Sequence, residues 1–433
     1  MKIACLFAGQ GAQYPGMGRD LYEKYEKSRR VFDEAGEKIK QLCFEGTAEE
    51  LKLTENTQPC VYTVTMAAYE EFFSRFQAQK PEDAEIAAMA GFSLGEYAAL
   101  TAAGVISGIA DGVELMEHRG RYMGEAGRNK AGENIGTMAA AIGDPVKVRE
   151  CVELARQDGI LVAANINAPT QTVVSGDREA VARFTEIAKE ARLRVTPLAV
   201  GSAFHSPMMS PASEKMRSLI LTKKITPCDF PVYSNLTARP ISEYRRNGAD
   251  DLSSPQTAED IADAMALQLM SPVQWVKTVE NLKAQGIDTV IEFGPGKTLS
   301  GLVKKIDKTI RTYNVENAES LDCRNSAGET DDSGAYIAGK SGGCVSPLQK
   351  KSIRVLQDGT VVTGVCPVKI TGGKPMLKGK SAIITGGVRG IGFGIAEEFA
   401  KQGADIMICY RSNEDAAAKA AAELEKYGTK VVA

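Results

Sequence analysis

Apolar residues in this chain fall into short runs that stop at glycine and longer stretches in which they recur at helical spacing. Lys2–Phe7 is a short apolar run before a glycine-rich turn and predicts a buried strand. Residues 19–39 and 61–76 mix charges with apolar positions three and four apart and predict helices. Residues 86–90 form a second buried strand ending at Gly91, and 97–103 a helix after it. Strand, tight turn and helix in succession is the rhythm of an α/β sheet.

The pattern changes near Gly132. Strands are expected at 137–142, 161–166, 171–175 and 193–198, with helices at 145–157 and 178–191. That order, β-α-β-β-α-β, is ferredoxin-like and predicts a small domain, about 132–200, inserted into a larger one. A late strand at 289–293 precedes Gly294-Pro295-Gly296 and a further helix. Residues 316–376 read as a largely irregular linker: 316–347 are rich in Gly, Ser, Asp and Asn, and 353–362 alternate weakly around Asp358-Gly359 as a hairpin would. From Ser381 a new strand-helix-strand-helix pattern begins. The expected architecture is thus α/β: a hydrolase-like parallel-sheet domain over 1–315 carrying the insertion, then the linker, then a partial Rossmann unit over 377–433.

Composition narrows the classes. A length of 433 residues suggests two to three domains, and 43% hydrophobic with 25% charged residues is ordinary for a soluble globular protein. A net charge of −3 gives no global attraction to nucleic acid or anionic membrane. The nine cysteines are scattered and include no Cys-x-x-Cys pair, which argues against a disulfide framework or zinc site and fits a reducing cytosol. The apolar start is interrupted by Gly9-Gln10-Gly11, too early for a signal peptide, and 86–110 contains Glu96 and several glycines, unlike a membrane span. A cytoplasmic enzyme is expected.

The chemistry centres on Gly91-Phe92-Ser93-Leu94-Gly95, a G-x-S-x-G sequence between an expected strand and an expected helix. In that setting the glycines allow a sharp turn that exposes the Ser93 hydroxyl, and the helix aims its first N–H groups at the same place. A serine nucleophile needs a base. The chain has two histidines; His118 lies within an expected helix, whereas His205 lies in a loop just past the insertion and is the better candidate. The N–H of Leu94 is a natural oxyanion donor, and a second could come from Gly9-Gln10-Gly11-Ala12-Gln13. Arg119, if it faces the site, offers a planar fork to a carboxylate, favouring a dicarboxylic acyl group such as malonyl over acetyl.

Residues 1 to about 315 resemble the bacterial malonyl-CoA:acyl-carrier-protein transacylases. The resemblance rests on Gly9-Gln10-Gly11-Ala12-Gln13, Ser93-Leu94-Gly95-Glu96, His118-Arg119-Gly120, Asn165-Ile166-Asn167-Ala168-Pro169, Ala203-Phe204-His205-Ser206, Ser271-Pro272-Val273-Gln274-Trp275 and Glu292-Phe293-Gly294-Pro295-Gly296. It implies transfer of malonyl from malonyl-CoA to the carrier protein in fatty acid synthesis, without metal or bound cofactor. It also implies an acylated Ser93, His205 as base, the N–H groups of Gln10 and Leu94 as oxyanion hole, and Arg119 on the malonyl carboxylate. A backbone carbonyl of Gln268 would orient His205, so no acidic triad member is required. Phe92 departs from the family, which usually has histidine there. Two other readings compete: a serine hydrolase such as a thioesterase, in which water takes the acyl group, and a non-catalytic, NADP-binding or scaffold fusion in which the transferase is vestigial.

Residues 377–433 resemble the 3-oxoacyl-acyl-carrier-protein reductases, which are short-chain dehydrogenases. Thr385-Gly386-Gly387-Val388-Arg389-Gly390-Ile391-Gly392 follows a strand at 381–384 and opens a helix, as a dinucleotide loop does. Gly386, Gly390 and Gly392, with Arg389 and Arg411 toward a 2′-phosphate, imply a vestigial NADP site. The sequence ends at Ala433 within an expected third strand, ahead of the family's Tyr-x-x-x-Lys pair, so reductase activity is not expected and a truncated fusion is the simplest account.

Overall fold

The structure is a computed structural model. It describes residues 1–79, 82–246, 255–322, 377, 380–385, 390–409 and 414–432. They belong to two units, Met1–Gly339 and Lys340–Ala433.

The first unit is built on a five-stranded parallel sheet in the order Val232–Tyr233, Glu85–Gly91, Lys2–Phe7, Thr289–Phe293, Arg311–Val315. Central parallel strands are covered on both faces and so are apolar throughout. Lys2–Phe7 shows why. Ile3, Cys5 and Phe7 point into one core with the long helix Thr54–Gln79, whereas Ala4 and Leu6 point into a second core with Trp275–Ala284 and Thr298–Ile306. The chain leaves the C-terminal ends of Lys2–Phe7 and Glu85–Gly91 side by side, and the candidate chemistry gathers there, as it does in open α/β sheets.

The insertion is a four-stranded antiparallel sheet in the order Leu161–Ala168, Gln171–Asp177, Gly136–Ile142, Arg194–Pro197. Pro145–Arg156 and Arg178–Glu190 cover one face through Val148, Val152, Val181 and Phe184. This is the ferredoxin-like arrangement. Its strand Leu161–Ala168 is also tied to the main body: Ile166 donates to the Val273 carbonyl (2.9 Å) and the Val273 N–H to the Ala164 carbonyl (2.8 Å).

Several elements differ from the sequence-based expectation. The helix expected at 19–39 is three helices, Arg19–Lys24, Glu26–Ala35 and Glu37–Glu45, broken at extended Tyr25 and at Gly36. Gly36 has φ 90°, which glycine adopts without a Cβ penalty. The helix expected at 61–76 begins earlier, at Thr54. Val232–Tyr233 and Arg311–Val315 were not anticipated as strands; the first has two residues, too short for periodicity to register. The irregular linker expected from 316 gives way at its start to a short helix, Ala318–Asp322. The Ala318 N–H donates to Asp20 (2.7 Å) and Asp322 pairs with Arg75 (2.9 Å) and with Lys24, so tertiary contacts hold these residues on the first unit. The hairpin expected around Asp358-Gly359 lies outside the described residues.

In the second unit, Ser381–Thr385, Asp405–Cys409 and Val431–Val432 form a parallel sheet in that order, with Gly390–Lys401 and Glu414–Glu425 packed on it through Ala396, Ala400, Ala420 and Leu424. Among the described residues, no helix is long and apolar enough to cross a membrane.

Candidate active site

Ser93 sits at the turn between Glu85–Gly91 and the helix Leu94–Ala102, with φ 54° and ψ −108°. A non-glycine residue in that region is strained, and the surroundings must hold it there. The flanking glycines make the turn sterically feasible. A Cβ on Gly91 would lie 1.9 Å from the carbonyl group of Gly95, and one on Gly95 would lie 2.2 Å from the Phe7 carbonyl oxygen. Two buried side chains clamp the turn. The Ser93 N–H donates to Asn235 Oδ1 (2.7 Å) and the Ser93 carbonyl accepts from Gln268 Nε2 (2.7 Å). Asn235 Nδ2 also donates to the Gly91 carbonyl (2.6 Å), closing a bridge across the elbow.

His205 is also held at positive φ, 56°, with its N–H donating to the Leu269 carbonyl (3.1 Å). Its Nε2 lies 2.8 Å from Ser93 Oγ. Its Nδ1 faces two acceptors, the carbonyls of Gln268 (3.0 Å) and Ser271 (3.2 Å). Neither can donate, so Nδ1 must carry the proton and Nε2 is left as the acceptor for the serine hydroxyl. Two main-chain oxygens thereby set the tautomer, a task other serine enzymes give to a carboxylate.

Burial, and secondarily the charge of Arg119, push the His205 pKa down from 6.5 to about 4. Because the neutral form is the one that accepts a proton, the rate of Ser93 acylation should stay flat as pH falls from about 8 to about 5 and drop only as pH approaches 4. Time-resolved intact mass across that range checks this; a half-maximal rate near 6.5 would instead indicate an ordinary histidine.

Arg119, on the helix Ile109–Ala126, reaches the same point and is 1% exposed. Its Nη1 donates to Gln58 Oε1 (2.8 Å); its Nη2 donates to Gln268 Oε1 (2.9 Å) and to Ser93 Oγ (3.2 Å). Its guanidinium lies 5.3 Å from the centre of the Tyr97 ring. Among the described residues no carboxylate is within ion-pair distance of it, and burial lowers its pKa. A buried cation with neutral partners is set to receive an anion.

Leu94 opens the helix after the elbow, so its N–H has no partner one turn earlier and points from the first turn. The loop carrying Gln10 lies against the elbow: a Cβ on Gly9 would be 2.8 Å from the Phe92 carbonyl oxygen, so only glycine lets the two segments approach so closely. The Phe92 ring packs edge-on against Trp275, 5.4 Å between centres. His118 keeps to its own helix, with Nδ1 near Tyr122 Oη (3.1 Å) and Arg121 Nη2 (2.7 Å). The structure therefore brings Ser93, His205, Arg119 and Gln268 together and leaves His118 apart. Sequence reasoning missed Asn235 and Gln58, which belong to no motif, and gave no role to Glu96, although Glu96 stands in the quoted motif.

In the second unit Gly390 begins the helix after Ser381–Thr385, and Gly392 lies within it. Gly386, Arg389 and Arg411 lie outside the described residues.

A strained serine elbow on a parallel sheet, facing a histidine oriented by two main-chain carbonyls, fits a serine acyltransferase of α/β fold. Residues 5–329 match the acyl transferase domain family, and the chain belongs to that family. It is 40% identical over 328 residues to the malonyl CoA-acyl carrier protein transacylase of Bacillus subtilis strain 168, covering 74% of this chain and 95% of that protein. A crystal structure of the Clostridium perfringens malonyl CoA-acyl carrier protein transacylase matches with TM-score 0.64 and 34% identity, over 75% of this chain and 96% of that one. A malonyl-transacylase solved in complex with its type II PKS acyl-carrier protein matches with TM-score 0.65 and 33% identity, over 74% and 98%. Residues 380–433 match the short chain dehydrogenase family.

Proposed function

We propose that this chain transfers a malonyl group from malonyl-CoA to the phosphopantetheine thiol of an acyl carrier protein, through a malonyl ester of Ser93, in fatty acid biosynthesis. The observation that carries this reading is Arg119: a buried guanidinium held by neutral partners, 3.2 Å from the hydroxyl that would be acylated. In a malonyl ester the free carboxylate stands only one methylene beyond the ester carbonyl, so a cation this close to Oγ suits a short dicarboxylic acyl group.

His205 Nε2 takes the Ser93 proton as Oγ attacks the thioester carbonyl. The oxyanion is received by the N–H of Leu94 and of Gln10, in a site where fixed donors act at low dielectric. Collapse breaks the carbon–sulfur bond, and the coenzyme A sulfur leaves with the proton that His205 returns. The carrier thiol then gives its proton to His205, its sulfur attacks the ester carbonyl, and the second collapse releases Ser93, which regains the proton. The protein's own residues suffice for every step.

We also infer a cytoplasmic setting: Cys5, Cys43, Cys60 and Cys151 are buried free thiols, as expected where thiols stay reduced. In the second unit, the strand Ser381–Thr385 followed along the chain by the helix Gly390–Lys401 supports the reading of a dinucleotide-binding unit, which we read as vestigial, with NADP the nucleotide that Arg389 and Arg411 suggest from the sequence.

Intact mass after mixing with malonyl-CoA, then with carrier protein bearing its phosphopantetheine arm, tests the proposal. A malonyl adduct should form and pass to the carrier, with acetyl-CoA reacting far more slowly. An adduct lost to water equally fast with or without carrier would make the protein a hydrolase.

A further inference from the structure

Behind the serine, two buried charged groups lie close without meeting. Arg119 and Glu96 are each 1% exposed. Groups of this kind ordinarily close into an ion pair when buried together. Here the side-chain amide of Gln268 stands between them. Its Oε1 accepts from Arg119 Nη2 (2.9 Å), and its Nε2 donates to Glu96 Oε2 (3.0 Å) and to the Ser93 carbonyl (2.7 Å). Glu96 Oε2 is engaged a second time by the Asn235 N–H (2.8 Å). Arg119 Nε and Glu96 Oε1 are both buried without a hydrogen-bond partner, so neither group spends its remaining edge on the other.

We propose that the Gln268 side chain is a specificity-determining spacer, which holds the Glu96 carboxylate one amide away from Arg119 so that the guanidinium stays available to the carboxylate of the acyl group. The inference rests on the reading of Arg119 as the malonyl site. Its physical basis is that a neutral acceptor fixes the guanidinium by hydrogen bonding without cancelling its charge. A carboxylate in the same place would do both, and an incoming malonyl group would have to displace it from a low-dielectric site, where that attraction is strongest. Burial raises the Glu96 pKa to about 7, partly offset by its bonds from Asn235, Gln268 and Ser234 and by the charge of Arg119. The spacer role belongs to the side-chain amide, whereas His205 is oriented by the main-chain carbonyl of Gln268.

The test is the ratio of Ser93 acylation rates with malonyl-CoA and acetyl-CoA, measured by intact mass on the full chain. Gln268→Ala removes the spacer and lets Glu96 reach Arg119, so the ratio should fall by about tenfold or more, the scale of one hydrogen bond to a charged group. Adding Glu96→Gln to that variant removes the competing carboxylate and should restore most of the ratio. A fall that Glu96→Gln does not restore means that Gln268 merely positions Arg119, and it overturns the proposal, as does a Gln268→Ala ratio equal to that of the unaltered protein. The exchange variant Glu96→Gln/Gln268→Glu keeps net charge and size while moving the carboxylate onto Arg119. It should also lose the ratio, and it serves if Gln268→Ala does not fold. A lack of malonyl preference in the unaltered protein would sink the Arg119 reading itself, a different result from a preference that survives these substitutions.

Discussion

Ser93→Ala is expected to abolish the covalent malonyl adduct, and His205→Ala to slow its formation by about 10³- to 10⁴-fold, the upper part of the range for a positioned general base. The serine result follows from geometry: in this site Oγ alone lies 2.8 Å from the unprotonated nitrogen of a histidine whose tautomer is fixed by two carbonyls. The histidine result is large because, among the described residues, no other base touches the hydroxyl. His118 is held within its own helix, and the other group bonded to the hydroxyl, Arg119 Nη2 at 3.2 Å, is a donor. Arg119 would still stabilise a serine alkoxide, so His205→Ala should keep a residual rate that Ser93→Ala does not. Rapid-quench intact mass with malonyl-CoA separates the two variants. A loss of less than about tenfold in His205→Ala would remove the base from His205.

Arg119→Ala is expected to lower the malonyl-over-acetyl preference by about 10- to 100-fold. Hydrogen bonds to charged groups contribute about 1.5–3 kcal/mol, and each 1.4 kcal/mol is a factor of ten. The loss should fall more heavily on malonyl than on acetyl transfer: Arg119 also touches Ser93 Oγ (3.2 Å), so part of the loss is shared, but the Ser93–His205 contact does not pass through it. Arg119→Lys separates charge from shape: it keeps a cation but loses the fork that spans Gln58 and Gln268, and it should recover part of the preference. Thermal stability must be followed alongside, since the side chain is fully buried and its removal leaves the oxygens of Gln58 and Gln268 short of a donor. Equal losses for malonyl and acetyl would mean that Arg119 supports the fold of the site and does not read the carboxylate.

The α/β alternation was legible because each parallel strand is buried on both faces and therefore written as an uninterrupted apolar run, as Lys2–Phe7 is. The insertion was legible because its strands and helices change period at short, regular intervals. The elbow was legible because local sterics demand its glycines: Gly91 and Gly95 have no room for a Cβ. His205 emerged from scarcity, since only two histidines exist to serve as base. Such features depend on neighbours in the chain, or on counting, and the sequence by itself determined them.

Tertiary structure decided the rest. Nothing local marks Asn235, carried into place after a two-residue strand and 142 positions from the Ser93 N–H it accepts. Gln58, Arg119, Gln268 and Glu96 come from four separate elements, and whether a buried guanidinium meets a carboxylate or an amide depends on how those elements pack. A short strand or helix such as Ala318–Asp322 has too few residues to reveal a period, and it forms because Asp20 and Arg75 hold it. Local pattern records the burial and turning of the chain itself; hydrogen bonds between distant segments leave no period behind, and they set the protonation of His205 and the neutral seat of Arg119.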